Sequence, residues 1–428
     1  LRYSARGVTG RTFQALTTRN YRYFFSGQLI SVTGSWLQST AQAWLILELT
    51  HSAFMLGLLV MVQFLPNLLL QPFGGVVADR FPKRTLLYFT QTSFAIVAGV
   101  LGISVGLGIV RVWEVFLVVA LFGLINVVDG PTRQAFVPEM VGSDQLPNAV
   151  ALNSTVFNAA RVVGPAAGGI LIATVGTALC FDLNAISYVA VLVALYLMHP
   201  EELQLVRRAT RQVAGTIGQI KEGARYAIRT PEVALVMVLM LVVGTFSYNF
   251  SVLIPALAKE GLHSGATTFG LLSAALGAGA LLGALGVAYA GRAAVPALLV
   301  GCAVFGSFLA LAGQAASLVP AMLLLAVTGA GMIVYSSMSN SIIQLFTPAA
   351  LRGRVMALYL WVFMGTTPIG SPLTGYFEQA FGSRATLTIG GLVALATAVG
   401  GTIWWSRRAH RSGNYPAASP PLAEAPTA

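Results

Sequence analysis

Gly75-Val76-Val77-Ala78-Asp79-Arg80-Phe81-Pro82-Lys83-Arg84 lies between two long apolar runs, and four of its last six residues are ionisable in a 428-residue chain that is only 9% charged. A hydrophilic turn this short between membrane-length segments has to sit at the membrane surface, and its three cations place it on the cytoplasmic side. Outward from it the chain is 56% hydrophobic, with far less charge than the roughly 25% of soluble domains. This is the composition of a polytopic membrane protein. Apolar runs near Tyr23–Leu47, Ala53–Val77, Leu86–Val110, Val112–Val128, Val150–Val175, Ala178–Met198, Val233–Leu257, Phe269–Ala290, Ala293–Ala312, Leu318–Ile343, Val355–Phe377 and Leu387–Trp405 each approach the roughly 20 residues that cross the hydrocarbon. Twelve spans are expected, the short fourth run being extended through Asp129 to Ala135.

The net charge of +11 would suggest nucleic acid in a soluble protein, so the distribution of the cations has to decide. With the first loop external, 21 of the 25 Lys and Arg fall inside, only Arg111, Lys259 and Arg384 fall outside, and Arg161 lies within a span. That bias puts both termini in the cytoplasm of a multi-pass cell-membrane protein. Contact with anionic lipid is a secondary effect, and no nucleic-acid partner is expected.

Cys180 and Cys302 show no metal or disulfide spacing, and His51, His199, His263 and His410 lie outside the span interiors, so neither a metal nor a cofactor is expected. No short apolar core with a small-residue cleavage site precedes the first run, so no removable signal is expected. Gly102-Ile103-Ser104-Val105-Gly106 matches a nucleophile-elbow spacing but lacks the strand-to-helix context and partners that chemistry needs. No phosphate-binding loop of the G-x-x-x-x-G-K-[ST] type occurs. An enzyme is not indicated.

The chain divides into residues 1–198, a charged linker at 199–232, residues 233–406 and a Pro- and Ala-rich tail at 407–428, read as disordered. In the linker Ile217, Ile220, Ala224 and Ile228 recur at helical spacing beside Lys221, Arg225 and Arg229, which predicts an amphipathic helix on the inner leaflet. The two large segments repeat one another. Gln134-Ala135-Phe136-Val137-Pro138 returns as Gln344-Leu345-Phe346-Thr347-Pro348, and Gly164-Pro165-Ala166-Ala167-Gly168 returns more weakly as Ser371-Pro372-Leu373-Thr374-Gly375. Two parallel, pseudo-symmetric six-helix halves follow, an all-α architecture that places a substrate site between halves near the midplane.

These motifs resemble those of the major facilitator superfamily. The Gly75 to Arg84 turn is similar to its loop 2–3 signature, with Gly75, Asp79, Arg80, Lys83 and Arg84 in place and Pro82 where the second Gly is usual. Gly164, Pro165, Gly168 and Gly169 resemble the antiporter signature of the fifth helix, although Ala151 and Ala160 replace its earlier glycines. Local phrases such as Asn20-Tyr21-Arg22 and Leu351-Arg352-Gly353-Arg354 resemble the branch of enterobactin exporters and macrolide and multidrug efflux proteins. The resemblance implies the major facilitator fold and a conformational latch in which Asp79 caps the eleventh helix. The cations of the latch can equally be topology determinants or partners of acids such as Asp129. The fifth-helix glycines read first as a device for close helix packing.

Polar residues within spans point to the pathway, because hydrocarbon does not tolerate them unpaired. Gln28, Ser31, Ser35, Gln38 and Gln42 form one stripe of the first helix. Thr245, Tyr248 and Asn249 share a face of the seventh, and Ser337, Asn340, Ser341 and Gln344 a face of the tenth. These line a cavity or bond between helices, and Trp36 and Phe246 could add aromatic contacts. Arg161, 14 residues beyond Pro147, lies near mid-membrane and needs a partner or an anion. Asp129 and Arg133 at i, i+4 form an ion pair or a proton-coupling pair. The expectation is a secondary active transporter, monomeric, moving a small molecule such as an amphipathic drug or siderophore outward by alternating access in exchange for protons. A transporter of a polar metabolite or lipid, and a non-transporting receptor or scaffold, are the alternatives.

Overall fold

The structure is a computed structural model that describes residues 13–204, 216–290 and 293–412. Of the tail expected to be disordered at 407–428, residues 407–412 continue the last helix; the rest of it and linker residues 205–215 lie outside the described residues. No strand occurs among those described. After a 3-10 turn at Gln14–Thr17 come α1 (Arg19–Thr50), α2 (Ala53–Arg80), α3 (Lys83–Gly106), α4 (Val112–Val175) and α5 (Ala178–Leu197). A 3-10 turn at Pro200–Glu202 precedes α6 (Thr216–Arg229), α7 (Pro231–Phe246) and α8 (Phe250–Ala256), which runs into a π turn at Leu257–Gly261. Then follow α9 (Ala266–Ala290), α10 (Val295–Gly313), α11 (Leu318–Phe346), α12 (Ala349–Phe381) and α13 (Ser383–Ser412).

Each apolar run falls on these helices. Among the described residues nine helical segments are long and apolar enough to cross a membrane. The number is below twelve because α4 carries the fourth and fifth runs together, and because α1 and α12, the former with its polar stripe, are too polar to be counted. The connection expected between those two runs is itself helical. Its one break is Gly142 at φ 71° and ψ 179°, a backbone conformation closed to side chains with a Cβ. Pro131, Pro138, Pro147 and Pro165 also lie within α4, and each removes an N–H from the helical ladder.

The chain forms two compact units. The first comprises Leu1–Gln212, Ser251–Gly277 and Ser371–Gly382; the second comprises Val213–Phe250, Ala278–Gly370 and Ser383–Ala428. In the first, α1 packs on α4 and α5, α2 on α4, and α3 on α4 and α5. In the second, α10 packs on α11 and α13, while α7 packs on the same two helices. The third run with the sixth (α3 with α5) and the ninth with the twelfth (α10 with α13) are the same pairing in the two repeats, so the phrase repetition in the sequence has a counterpart in the packing. Tyr21, Phe24, Leu87, Phe136, Met140 and Leu195 form a buried cluster in the first unit, with Phe24 and Phe136 edge to face at 5.9 Å. Phe73, Phe89, Ile186 and Leu282 are exposed, as befits helices whose outer faces meet lipid.

The amphipathic linker helix is present as α6, and Lys221, Arg225 and Arg229 are exposed on it. A different side of it packs on protein. Gly223 and Ala227 are buried, and Gly223 lies against Arg354. Tyr226 donates its hydroxyl to the Phe346 carbonyl, and Glu222 pairs with Arg354. Ile228, on the expected apolar stripe, is 78% exposed, which leaves that stripe open to meet lipid.

The fifth-run signature makes close contacts between α4 and its neighbours. A Cβ on Gly164 would meet Trp36 and the Thr33 carbonyl of α1, and one on Gly168 would meet Thr40. A Cβ on Gly169 would stand 2.5 Å from the Ala266 carbonyl and 2.8 Å from Gly270 Cα, on α9. Backbone atoms cannot swing aside as a side-chain tip can. Gly169→Ala should therefore lower stability by about 1–3 kcal/mol, the usual range for overpacking. Gly75→Ala should stay within about 0.5 kcal/mol, because a Cβ there meets nothing within 4 Å. Thermal unfolding of the two purified variants in one detergent checks the contrast.

Candidate functional site

A cavity of about 1030 Å³ opens within the first unit. One of its walls is α1, from which Gln28, Ser35, Gln38 and Gln42 line it. Ser31, the remaining member of that stripe, is 1% exposed and not in the lining; its hydroxyl has no partner among the described residues. The opposite wall is the first arm of α4, where Asn126, Asp129, Gly130, Arg133, Gln134 and Val137 recur at the three- and four-residue steps of one helical face. Aromatic rings of Phe24, Trp36, Phe64, Phe94, Phe122, Phe157 and Tyr188 fill the spaces between the amides. Asp129 and Arg133 are the only charged side chains in the lining among the described residues.

Asp129 is 3% exposed and fully engaged. Its Oδ1 accepts from Thr90 Oγ1 at 2.6 Å and from Gln91 Nε2 at 2.7 Å, both on α3. Its Oδ2 pairs with Arg133 Nε one turn along α4. Arg133 NH1 donates in turn to Gln28 Oε1 on α1. One carboxylate thus ties α3, α4 and α1 together. The i, i+4 pairing agrees with the spacing; the two α3 donors carry no sequence signal beyond being polar neighbours in an apolar run. Two buried amide atoms at this node, Gln28 Nε2 and Gln91 Oε1, have no hydrogen-bond partner among the described residues.

A second network lies further along α1. Asn184 Nδ2 donates to Gln38 Oε1 at 2.6 Å and approaches the Tyr188 hydroxyl at 3.3 Å. That hydroxyl is 3.2 Å from Ser35 Oγ, and the Tyr188 ring stacks on Phe94 at 5.1 Å. The stripe therefore both lines the cavity and bonds between helices, where the sequence reading set these as alternatives. Asn67, Asn153 and Asn158 also line the cavity and were not singled out in the sequence, since single amides in apolar runs carry no periodic signal.

The remaining candidates sit elsewhere. Thr245, Tyr248, Asn249, Ser337, Asn340 and Gln344 belong to the second unit. There Asn249 Nδ2 donates to the Thr245 carbonyl at 2.7 Å, Gln344 donates to Asn340, and Tyr248 packs among Phe250, Phe305 and Phe363. Ser337 and Ser341 are half-buried. Arg161 is half-buried on the second arm of α4, outside the cavity lining.

The Gly75 to Arg84 turn is dispersed. Asp79 and Arg80 are exposed, and among the described residues Asp79 has neither a hydrogen bond nor an ion pair. Lys83 pairs with Glu139 at 3.0 Å, both largely buried. Arg84 donates from Nε and NH2 to the Leu195 carbonyl at 3.0 and 2.8 Å, at the C-terminal end of α5, where a cation suits the helix dipole. None of the three cations meets Asp129, whose cation is Arg133. Cys180 and Cys302 are buried and unlinked, and no group of three metal-ligating side chains occurs among the described residues.

The family model described as a transmembrane secretion effector matches residues 10–416. The chain belongs to this family of the major facilitator superfamily. It is 25% identical to the staphyloferrin A transporter of Staphylococcus aureus over 62% of the chain and 66% of that protein. It is 27% identical to the multidrug efflux pump Tap of Mycolicibacterium fortuitum over 84% of the chain and 89% of the pump. With the enterobactin exporter EntS of Shigella boydii it shares 27% over 83% of the chain and 84% of the exporter. Among solved structures, a bacterial homologue of the human lysosomal transporter Spinster superposes with a TM-score of 0.70 at 14% identity, over 93% of this chain and 99% of that one, which shows the fold alone. The chain is a membrane transporter and not an enzyme.

For this transporter the Asp129 node is the element whose loss is measurable. Arg133→Gln should destabilise by about 3–5 kcal/mol, the cost of leaving a buried charge without its partner. Asp129→Asn/Arg133→Gln should recover most of that loss. A double-mutant cycle on thermal or denaturant unfolding checks the pairing; additive effects would show that the two charges do not depend on one another.

Proposed function

We propose that this transporter exports amphipathic organic molecules, drugs or siderophores among them, in exchange for protons. The observation that carries the reading is the charge of the cavity: Asp129 and Arg133 are the only charged side chains in its lining among the described residues, and they cancel. A proton on Asp129 leaves a net positive charge on the lining and breaks the pair that holds Arg133 and Gln28 in place. A neutral or cationic amphipath whose donors face the carboxylate loses its partner at that moment. Proton and cargo are then mutually exclusive occupants, the requirement for exchange. The aromatic and amide lining suits a cargo with flat apolar parts and scattered polar atoms. The names of the efflux pump and of the siderophore transporters among its relatives agree with such cargo.

We place both termini in the cytoplasm on the distribution of basic residues. A cysteine at Gly218, exposed on α6, should react with an impermeant reagent only from the inner side of oriented vesicles. One at Ser264 should react only from the outer side.

The coupling reading is tested by ligand binding against pH in purified protein. Affinity for a lipophilic cation should fall as pH is lowered, by up to about tenfold per pH unit where one proton competes. Asp129→Asn should flatten that dependence and abolish uphill, pH-driven export in proteoliposomes while retaining downhill exchange. Full pH-driven export by Asp129→Asn protein would remove Asp129 from the mechanism and leave the pair structural.

A further inference from the structure

Glu378, on the last turns of α12, is a second acid away from water, and its surroundings are the opposite of those of Asp129. It is 1% exposed, and neither carboxyl oxygen has a hydrogen-bond partner among the described residues. It sits on the part of α12 that belongs to the first unit, one turn from a tight contact with the start of α2. A Cβ on Gly375 would meet the Ala53 carbonyl and Phe54 Cα, and the Ser371 carbonyl lies against Gly57. Ser52 Oγ and Gln379 Oε1 are 3.2 Å apart. Ser371 and Thr374 are buried on the same face.

The ionisable groups around this corner do not offer Glu378 a counter-charge. Glu260, on the π turn after α8, is the group whose charge acts on it, and it acts against a second negative charge. Lys259 is committed elsewhere: its Nζ donates to the Leu47 carbonyl at 2.7 Å and stands 5.7 Å from the centre of the Trp44 ring. Trp44 also donates Nε1 to Glu48 at 2.6 Å. His51 and His263 share a recess with Lys259 and Glu260; both adopt left-handed backbone conformations at helix ends. A buried carboxylate with neither a donor nor a cation is strongly disfavoured, so the packed corner is compatible with the neutral acid alone.

We propose that Glu378 is a proton-binding site that locks the contact of α12 with α2: the contact closes with the proton bound, and water entering the corner on opening lets it leave. By the distribution of basic residues this corner faces the outside, so external acidity would hold it closed. The site is separate from the proposed exchange at Asp129 and needs no cargo.

Spin labels on cysteines at Thr50 and Gln379, with Cys180 and Cys302 replaced by Ser, read the contact by double electron–electron resonance in nanodiscs between pH 5 and 9. The short-distance population should give way to a longer one as pH rises, with an open-to-closed ratio climbing up to about tenfold per pH unit through the titration. Glu378→Gln should keep the short distance at every pH, and Glu378→Asp should retain the pH response. Glu260→Gln, which leaves Glu378 intact, should move the midpoint to lower pH by removing the neighbouring negative charge. The response should persist in Asp129→Asn protein, which separates it from coupling at the cavity. The same response in Glu378→Gln as in the wild type, no response in the wild type, or its loss in Asp129→Asn would each overturn the proposal.

Discussion

Lipid is as apolar as leucine, so helices in a bilayer gain little by burying apolar side chains against one another, and what joins them is close backbone approach and hydrogen bonding. Both means are visible in this chain. Its 45 glycines include the contacts of α4 with α1 at Gly164 and Gly168, and that of α4 with α9 at Gly169. The hydrogen bonds are concentrated where polar side chains leave the lipid-facing surface: Asp129 to three donors on two helices, Asn184 to Gln38, Ser35 to Tyr188. The polar stripe of α1 is therefore a join before it is a binding surface, and the cavity is the part of the join left unfilled.

Much of this was legible from spacing. Twelve apolar runs, the repeat of two phrases and the i, i+4 step from Asp129 to Arg133 are local patterns, and each has its counterpart in a helix, a shared pairing or an ion pair. Contacts set by tertiary packing were not legible. Nothing in the sequence assigns Lys83 to Glu139 rather than to Asp129, or Arg84 to the end of α5, because those pairings depend on where three helices end in space. Gly142 is one glycine among many, and only its φ of 71° shows that the fourth and fifth runs meet there in one bent helix. The linker helix is a similar case: periodicity reads its isoleucine stripe against lipid, but not the Glu222–Arg354 and Tyr226–Phe346 contacts that hold its other side to α11 and α12.

Under the proposed function, the cavity would be a transport site with few charges. With two opposite charges in its lining among the described residues, one proton changes its net charge from zero to positive. In a site of low polarity that change matters more than it would at a water-exposed surface. Amides, aromatic rings and aliphatic side chains dominate the rest of the lining, and in the proposed function they would hold cargo by shape and by adaptable hydrogen bonds rather than by a fixed charge pattern.

Asp129 and Glu378 are buried to a similar degree, so burial alone cannot decide what each does. Asp129 has two neutral donors and a guanidinium, and its charge is stabilised where it stands. In the exchange proposed above, a proton there would break an existing pair, which would tie its binding to rearrangement within the cavity. Glu378 has no donor and faces another acid, so its charge is excluded while the corner is packed, and protonation accompanies closure rather than disrupting it. A carboxylate's surroundings, and not its depth, thus separate a group that trades a proton for a partner from one that needs the proton in order to be buried.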